Sequence, residues 1–167
     1  MAEQGGKRCF PPVADAGTRL LILGSLPGDA SLAASQYYAH PRNQFWRLLG
    51  EVLGRDLVSL PYEERLMALR ESGVGLWDVV AQASRKGSLD ADLREIQHND
   101  LSDFVASLPA LRAVAFNGAT AAKAEAQLAG LGLAVARLPS SSPAHTLAYE
   151  AKLAVWRQLE RYLDLSA

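Results

Sequence analysis

The sequence predicts an α/β domain, a three-layer α/β/α sandwich in which helices cover both faces of a central, mainly parallel, four-stranded sheet. Three observations lead there. Short apolar runs alternate with helix-patterned stretches along the whole chain. Each apolar run breaks at glycine, asparagine or a polar turn, as a buried strand does before it hands over to a helix. The chain has 167 residues, of which 49% are hydrophobic, enough for one core and too few for two ordinary domains. One domain spanning residues 1–167 is expected, with residues 1–17 as a loosely ordered leading segment.

The first strand is the apolar run Leu20 to Leu23, which breaks at Gly24, Pro27 and Gly28 in the loop GSLPGDASL. From Asn43 to Leu53, the residues Phe45, Trp46, Leu48, Leu49, Val52 and Leu53 recur at helical spacing, and Gly54 supplies a stop. Pro61 opens the next helix and Gly73 closes it. VGLWDVV, from Val74 to Val80, reads as the second buried strand, and Asn99 or Asp100 can cap a helix after it. LRAVAFNG gives the third strand, ending at Asn117-Gly118, and the alanine-rich ATAAKAEAQLAGLG that follows is helix-prone. LAVARL is the fourth strand. It runs into the turn PSSSPAH and then into TLAYEAKLAVWRQLERYLDL, an amphipathic C-terminal helix. In a parallel sheet the four segments after the strands emerge on one rim: Gly24 to Leu32, Trp77-Asp78, Asn117-Gly118 and Ser140 to His145. Open α/β sheets bind their ligands there.

Charge and cysteine content narrow the functional classes. A formal net charge of −1 means that any affinity for nucleic acid must come from a local patch. Cys9 is the only cysteine, which excludes an internal disulfide, a cysteine zinc site and a four-cysteine iron–sulfur cluster within one chain. No cofactor and no metal are expected. The segment MAEQGGKRCFPPVADAG lacks the apolar core of a signal peptide, and no apolar run approaches the roughly 20 residues needed to cross a bilayer. A cytoplasmic protein with no membrane partner is expected.

Chemistry concentrates in three stretches. GSLPGDASL has the glycines of a phosphate cradle but neither the spacing nor the lysine of a nucleotide P-loop, so a tight strand-to-helix turn accounts for it equally well. YYAHPRNQFW packs four aromatic rings, His40, Arg42 and Asn43 into ten residues. Phe45 and Trp46 fall on the apolar helix face, and Asn43 stands where an N-cap would. Tyr37 and Tyr38 are harder to bury together because each phenol needs a partner, which makes one of them a candidate stacking platform. PSSSPAH is a hydroxyl-rich turn fixed by two prolines. It reads either as a capping turn, with Ser142, His145 or Thr146 supplying local bonds, or as a loop that meets DNA phosphates.

Taken together, GSLPGDASL, YYAHPRNQFW and the late SSSPAH resemble the uracil-DNA glycosylase superfamily, closest to the hypoxanthine or deoxyinosine DNA glycosylase branch that is counted as its sixth family. The likeness runs from about Leu20 to the final helix, and FNGATAAK adds to it. The resemblance implies a monomeric, monofunctional glycosylase of base excision repair whose partner is DNA containing deaminated bases. Such an enzyme hydrolyses the N-glycosidic bond of flipped-out uracil or hypoxanthine and leaves an abasic site. Where the mismatch-specific branch carries a catalytic asparagine and the original uracil branch an aspartate, this chain has Ser25. The hypoxanthine branch shares that departure and uses the asparagine of PRN, so the catalytic role falls on Asn43. The resemblance also places Tyr38 against the base, with Tyr37 nearby, and Asp78 where relatives often keep a base-recognising asparagine.

The remaining roles follow from chemistry. Deamination leaves a protonated ring nitrogen beside a new carbonyl, so a carboxylate or amide acceptor, Asp78 or Asn117, can read it; a helix cap or surface ion pair for Asp78, and a turn-forming role for Asn117, account for these residues equally well. Backbone amides of Ser25 and Leu26, with a donor on His145, would stabilise the departing base anion. Asn43 would orient the water or donate to the base, since a neutral amide is too weak a base to take a proton. Asp29 is the fallback carboxylate. Phosphate contacts are expected from Arg42, Arg85, Lys86 and the turn Ser140, Ser141, Ser142, Pro143, Ala144. Activity on uracil in DNA is the expectation, with hypoxanthine open. Two other readings stay alongside: a protein of this fold that binds damaged or abasic DNA with little turnover, and a flavodoxin-like nucleotide-binding domain.

Overall fold

The computed structural model describes residues 6–85 and 93–163. Its centre is a four-stranded parallel sheet of β2 (Leu20–Gly24), β3 (Val74–Asp78), β6 (Ala113–Asn117) and β7 (Ala134–Leu138), in the order β3-β2-β6-β7. All five residues of β2 and of β6 are buried, as expected of strands covered on both faces. Successive side chains of β2 go to opposite sides. Leu20 and Ile22 join one core with α2 (Phe45–Leu53), α3 (Tyr62–Glu71) and α6 (Tyr149–Trp156), whereas Leu21 and Leu23 join the other with α4 (Leu101–Ala106) and α5 (Ala119–Ala122). The three-layer sandwich read from the sequence is the fold observed.

A second, antiparallel sheet was not read from the sequence. β4 (Val80–Arg85) lies between β1 (Gly6–Arg8) and β5 (Leu93–His98). VGLWDVV is therefore not one strand. It leaves the parallel sheet after Asp78, and the Val79 and Val80 amides donate to the carbonyls of Gly24 and Ser25, which carries the chain across the end of β2. The leading segment differs from expectation too. Beyond β1, Val13 bridges Leu76 in both directions and Thr18 is buried, so residues 6–18 are tied to the fold rather than loose.

Helix ends follow local chemistry. Of the two candidate caps before α4, Asp100 accepts the Asp103 amide, and those bonds hold its carboxyl below the usual range. α1 (Asp29–Ala34) follows the GSLPG loop directly. The alanine-rich segment makes only the four residues of α5 before a 3-10 stretch, Lys123–Leu128, and two positive-φ glycines, Gly130 and Gly132, return the chain to β7. The last helix begins at Tyr149 rather than Thr146, because residues 146–148 belong to the exposed turn before it.

Candidate active site

A cleft of about 500 Å³ opens on the carboxyl rim of the parallel sheet, lined by the segments after β2, β3, β6 and β7 and by Tyr37, Tyr38, His40 and Asn43. The four loops expected on one rim do meet there. The fifth contributor, the connection from α1 to α2, brings the aromatic stretch over the end of β2.

Tyr38 adopts φ 55°, a left-handed conformation that costs a bulky residue about 1–3 kcal/mol and persists only where its surroundings enforce it. The enforcing contacts are local. The Tyr37 amide donates to the Tyr62 hydroxyl, the Tyr37 carbonyl accepts from Trp46 Nε1, and the Ala39 amide donates to the buried Ser31 Oγ. So pinned, the Tyr38 ring stacks on Phe45, with centroids 3.9 Å apart and planes 13° from parallel. One face is thus backed by the core while the ring borders the cleft.

Gly24 explains how Tyr38 and Asp78 reach the same place. A Cβ there would lie 2.8 Å from Asp78 Oδ1 and 2.9 Å from Tyr38 Oη, so only glycine leaves room for both polar ends at the head of β2. Asp78 is 3% exposed, and its backbone carbonyl accepts from Asn99 Nδ2 at 2.7 Å. A buried carboxylate at the wall of a cleft is costly unless a charge or hydrogen-bond donor meets it.

Tyr37 separates from its neighbour. It is 4% exposed, its hydroxyl donates to the Pro11 carbonyl at 3.0 Å, and its ring meets Phe10 edge-on. Burial, then the charge of Asp78, push its phenol far above the ordinary range. Although it touches the cleft, its hydroxyl is committed to the N-terminal segment.

Asn43 does serve the helix, but from one position earlier than a cap. Gln44 stands at the cap, and Asn43 Oδ1 accepts the Phe45 amide at 3.0 Å. That bond takes one of the two lone pairs of the amide oxygen, and the Nδ2 hydrogens remain as donors beside the cleft. His40 Nδ1 likewise accepts the Arg42 amide, which fixes its Nε2 as the outward nitrogen, while the Arg42 side chain is exposed.

Asn117 bonds as the turn-forming residue. Its Oδ1 accepts the Ser141 amide and its Nδ2 donates to Ser141 Oγ, each at 2.9 Å, with both residues buried. The Asn117 amide therefore clamps the 140–145 turn. Gly118, at φ 97°, lets the chain turn beneath that loop, where a Cβ would come 3.2 Å from Ser140 Cβ. Two more bonds hold the turn from outside: the Ser141 carbonyl accepts the Gln44 amide, and the Ser142 carbonyl accepts Lys152 Nζ at 3.3 Å. Within the turn, Ser140 Oγ and Ser142 Oγ accept the amides of Ser142 and Ala144. The local bonding read for Ser142 is present and Ser140 shares it, while Pro143, Ala144 and His145 are left exposed at the tip of the turn.

Ser25 and Leu26 line the cleft, as does Asp29. Lys86 lies outside the described residues, and Arg85 is described only as the end of β4. Sequence reasoning missed Ser31, Tyr62 and Lys152. Serine eight residues before a strained peptide, or lysine on a helical pattern, carries no signal of its own.

The comparisons with known proteins agree with this geometry. The family model for the uracil DNA glycosylase superfamily matches residues 11–166. A protein of Methanosarcina acetivorans named hypoxanthine DNA glycosylase is 41% identical over 156 residues, covering 93% of this chain and 99% of the relative. Its namesake in Methanosarcina barkeri is 41% identical over 152 residues, covering 91% and 96%. A solution NMR structure from Methanosarcina acetivorans, described as a candidate uracil DNA glycosylase, superposes with a TM-score of 0.87 at 41% identity, covering 95% of this chain and 99% of that one.

Proposed function

Since this chain belongs to the uracil DNA glycosylase superfamily, we propose that its rim cleft receives a deaminated base flipped out of DNA and hydrolyses the N-glycosidic bond, leaving an abasic site. It is a DNA glycosylase, a hydrolase of N-glycosyl bonds in base excision repair. The observation that carries the assignment of residues is the meeting, in one cleft, of Tyr38, Asn43, Asp78 and the 140–145 turn from three separate segments.

Flipping costs a few kcal/mol, least for a mispaired base, and the extruded base needs an aromatic face. Tyr38, backed by Phe45, supplies it. Stacking accepts every base, worth roughly 1–3 kcal/mol, so selection must come from hydrogen bonds. The Asp78 carboxylate accepts the ring N–H that deamination creates, at N1 of hypoxanthine or N3 of uracil. A base offering a lone pair there leaves a buried carboxylate facing an acceptor, which is the costly arrangement.

As the glycosidic bond breaks, positive charge grows on the deoxyribose and negative charge on the base. With its oxygen held by the Phe45 amide, Asn43 presents Nδ2 as a donor to the departing base. The Ser25 and Leu26 amides and His145 complete the anion's surroundings, and water adds to the sugar cation late. Electrostatic stabilisation, not proton abstraction, then lowers the barrier. Both hypoxanthine and uracil fit this chemistry, and the names of the relatives put hypoxanthine first in the test.

That test is alkaline strand scission of labelled oligonucleotides carrying one hypoxanthine or one uracil, with native protein beside Asn43→Ala. Scission at the lesion by native protein, reduced at least 100-fold in the variant, is the expected result. Tight binding of abasic DNA by a native protein that never cuts would instead favour the binding-protein reading.

A further inference from the structure

A second groove of about 910 Å³ adjoins the cleft and shares Tyr38, His40, Asn43 and His145 with it. Its lining includes Arg42, Arg47, Arg65 and Lys152 and, among the described residues, no aspartate or glutamate. In a chain of net charge −1, four cations and two histidines around one groove are a local concentration, not an overall excess. Three arginines elsewhere, Arg55, Arg137 and Arg157, instead pair with Glu71, Glu125 and Glu160.

The groove's cations are held in place by neutral partners. Arg65 donates from Nε to the Leu60 carbonyl and from Nη2 to the Val58 carbonyl, with its guanidinium 5.3 Å from the Trp46 ring centre. The Arg47 guanidinium lies 3.7 Å above the Tyr149 ring. Lys152 is 1% exposed, its ammonium bonded to the Ser142 carbonyl. Each contact orients a charge without neutralising it. No carboxylate among the described residues pairs with Lys152, and a buried ammonium without one is costly unless an external anion meets it.

We infer that this groove carries the phosphates of the lesion strand on one side of the flipped nucleotide, with Arg47 and Arg65 as direct phosphate ligands, joined by Arg42 and with Lys152 beneath. The assignment rests on the reading of the neighbouring cleft as the base pocket, because continuity through Tyr38 and Asn43 is what makes the groove the strand's path.

Salt dependence reads it directly. Each phosphate contact contributes about 0.7 (single strand) to 0.9 (duplex) to the slope of log affinity against log salt. Binding of a hypoxanthine-containing oligonucleotide would be followed by fluorescence anisotropy across a potassium chloride series for native protein and for Arg47→Gln/Arg65→Gln. The expected loss of slope is about 1.4–1.8, two phosphate contacts, and trimming one flank of the oligonucleotide should bring the native slope down to the variant's. Because Arg65 also braces two carbonyls, Arg42→Gln/Arg47→Gln, which breaks no backbone bond, serves as the second variant, and Arg161→Gln, exposed and outside the groove, as the control. Slopes of both double variants equal to the control's would overturn the inference. The two readings fail separately: native protein that cuts no lesion defeats the catalytic one, while the slopes still judge the groove.

Discussion

Asn117 separates two uses of one side chain, reading a base or clamping a loop, and a double-mutant cycle with Ser141 decides between them. Asn117→Ala removes both 2.9 Å bonds and strands a buried Ser141 amide, since Ser141 is 1% exposed. An unmet buried donor costs about 1–3 kcal/mol and a lost ordinary bond about 0.5–1.5, so the variant should lose about 2–4 kcal/mol. In a domain of this size each kcal/mol moves Tm by roughly 2–4 °C, giving a fall of about 4–16 °C. Ser141→Ala removes only the Oγ bond and should cost about 1–2 kcal/mol. That bond is counted in both single variants, so the double variant should cost about 1–2 kcal/mol less than their sum, well outside the 0.3–0.5 kcal/mol scatter of independent sites. Urea unfolding gives the energies and single-turnover excision the function. A clamp makes excision fall in both single variants, in step with the loosened turn. Additive unfolding energies, with excision lost only in Asn117→Ala, would refute the clamp and restore Asn117 as a base reader.

Three other outcomes follow from the same structure. Gly24→Ala places a methyl against Asp78 Oδ1 and Tyr38 Oη; overpacking costs about 1–3 kcal/mol, and excision should fall by more than the Tm change suggests, because on the proposed reading both displaced groups meet the base. The Tyr37 phenol is raised above its ordinary 10.0, so above about pH 10 the unfolded chain ionises there while the folded chain does not, and stability should fall with rising pH; phenolate absorbance should report fewer than the five tyrosines until a cooperative unfolding step releases the rest. The Lys152 ammonium is lowered from 10.5 by desolvation, so between that lowered value and 10.5 the unfolded chain holds more protons and this group's contribution to stability rises with pH. Lys152→Met should therefore be at least as stable as native protein near pH 7 while binding DNA less tightly, and its stability advantage should shrink as pH rises; a variant less stable at every pH, with a constant gap, would contradict this.

What the sequence revealed, and what it hid, divides along the range of the interactions. The parallel sheet was legible because Leu20 to Leu23 and Ala113 to Phe116 are apolar on both faces and end in glycine or asparagine, a purely local pattern. The side sheet was not, because β1 finds β4 across more than seventy residues, and nothing in VGLWDVV marks Val79 as the point where the chain changes sheets. At the site, Tyr38, Asn43 and Asp78 could be named from their motifs. The left-handed Tyr38, however, depends on Ser31, Trp46 and Tyr62, which approach it from three separate helices. Asn117 was placed correctly on the rim and its bonding was not, since its partner Ser141 lies 24 residues away.

The geometry of Asn43 also bears on how a site with serine at position 25 works. Two carboxylates, Asp29 and Asp78, line the cleft, and Asp78 lies beside Tyr38 Oη at the head of β2, where the proposed mechanism has it read the base. Asn43 cannot replace a water-activating group, because a neutral amide is too weak a base to take the proton; with its oxygen accepting the Phe45 N–H, Nδ2 is the donor it offers. On the proposed reading the site selects the tautomer of a deaminated base through Asp78 and stabilises it through its donors as it leaves with negative charge, with Asp29 as the second carboxylate on the cleft wall. Such a site gains most when the leaving group is itself a stable anion, and oxidised purines and pyrimidines that lack the N–H facing Asp78 should be excised poorly even where they stack well on Tyr38. Within this logic Asn43→Asp is more informative than Asn43→Ala. The carboxylate keeps the acceptor for the Phe45 amide but replaces the donor with negative charge, so it should lower single-turnover excision at least as far as alanine does. Recovery of activity above the alanine level would mean that water activation, not leaving-group stabilisation, is what this position can supply.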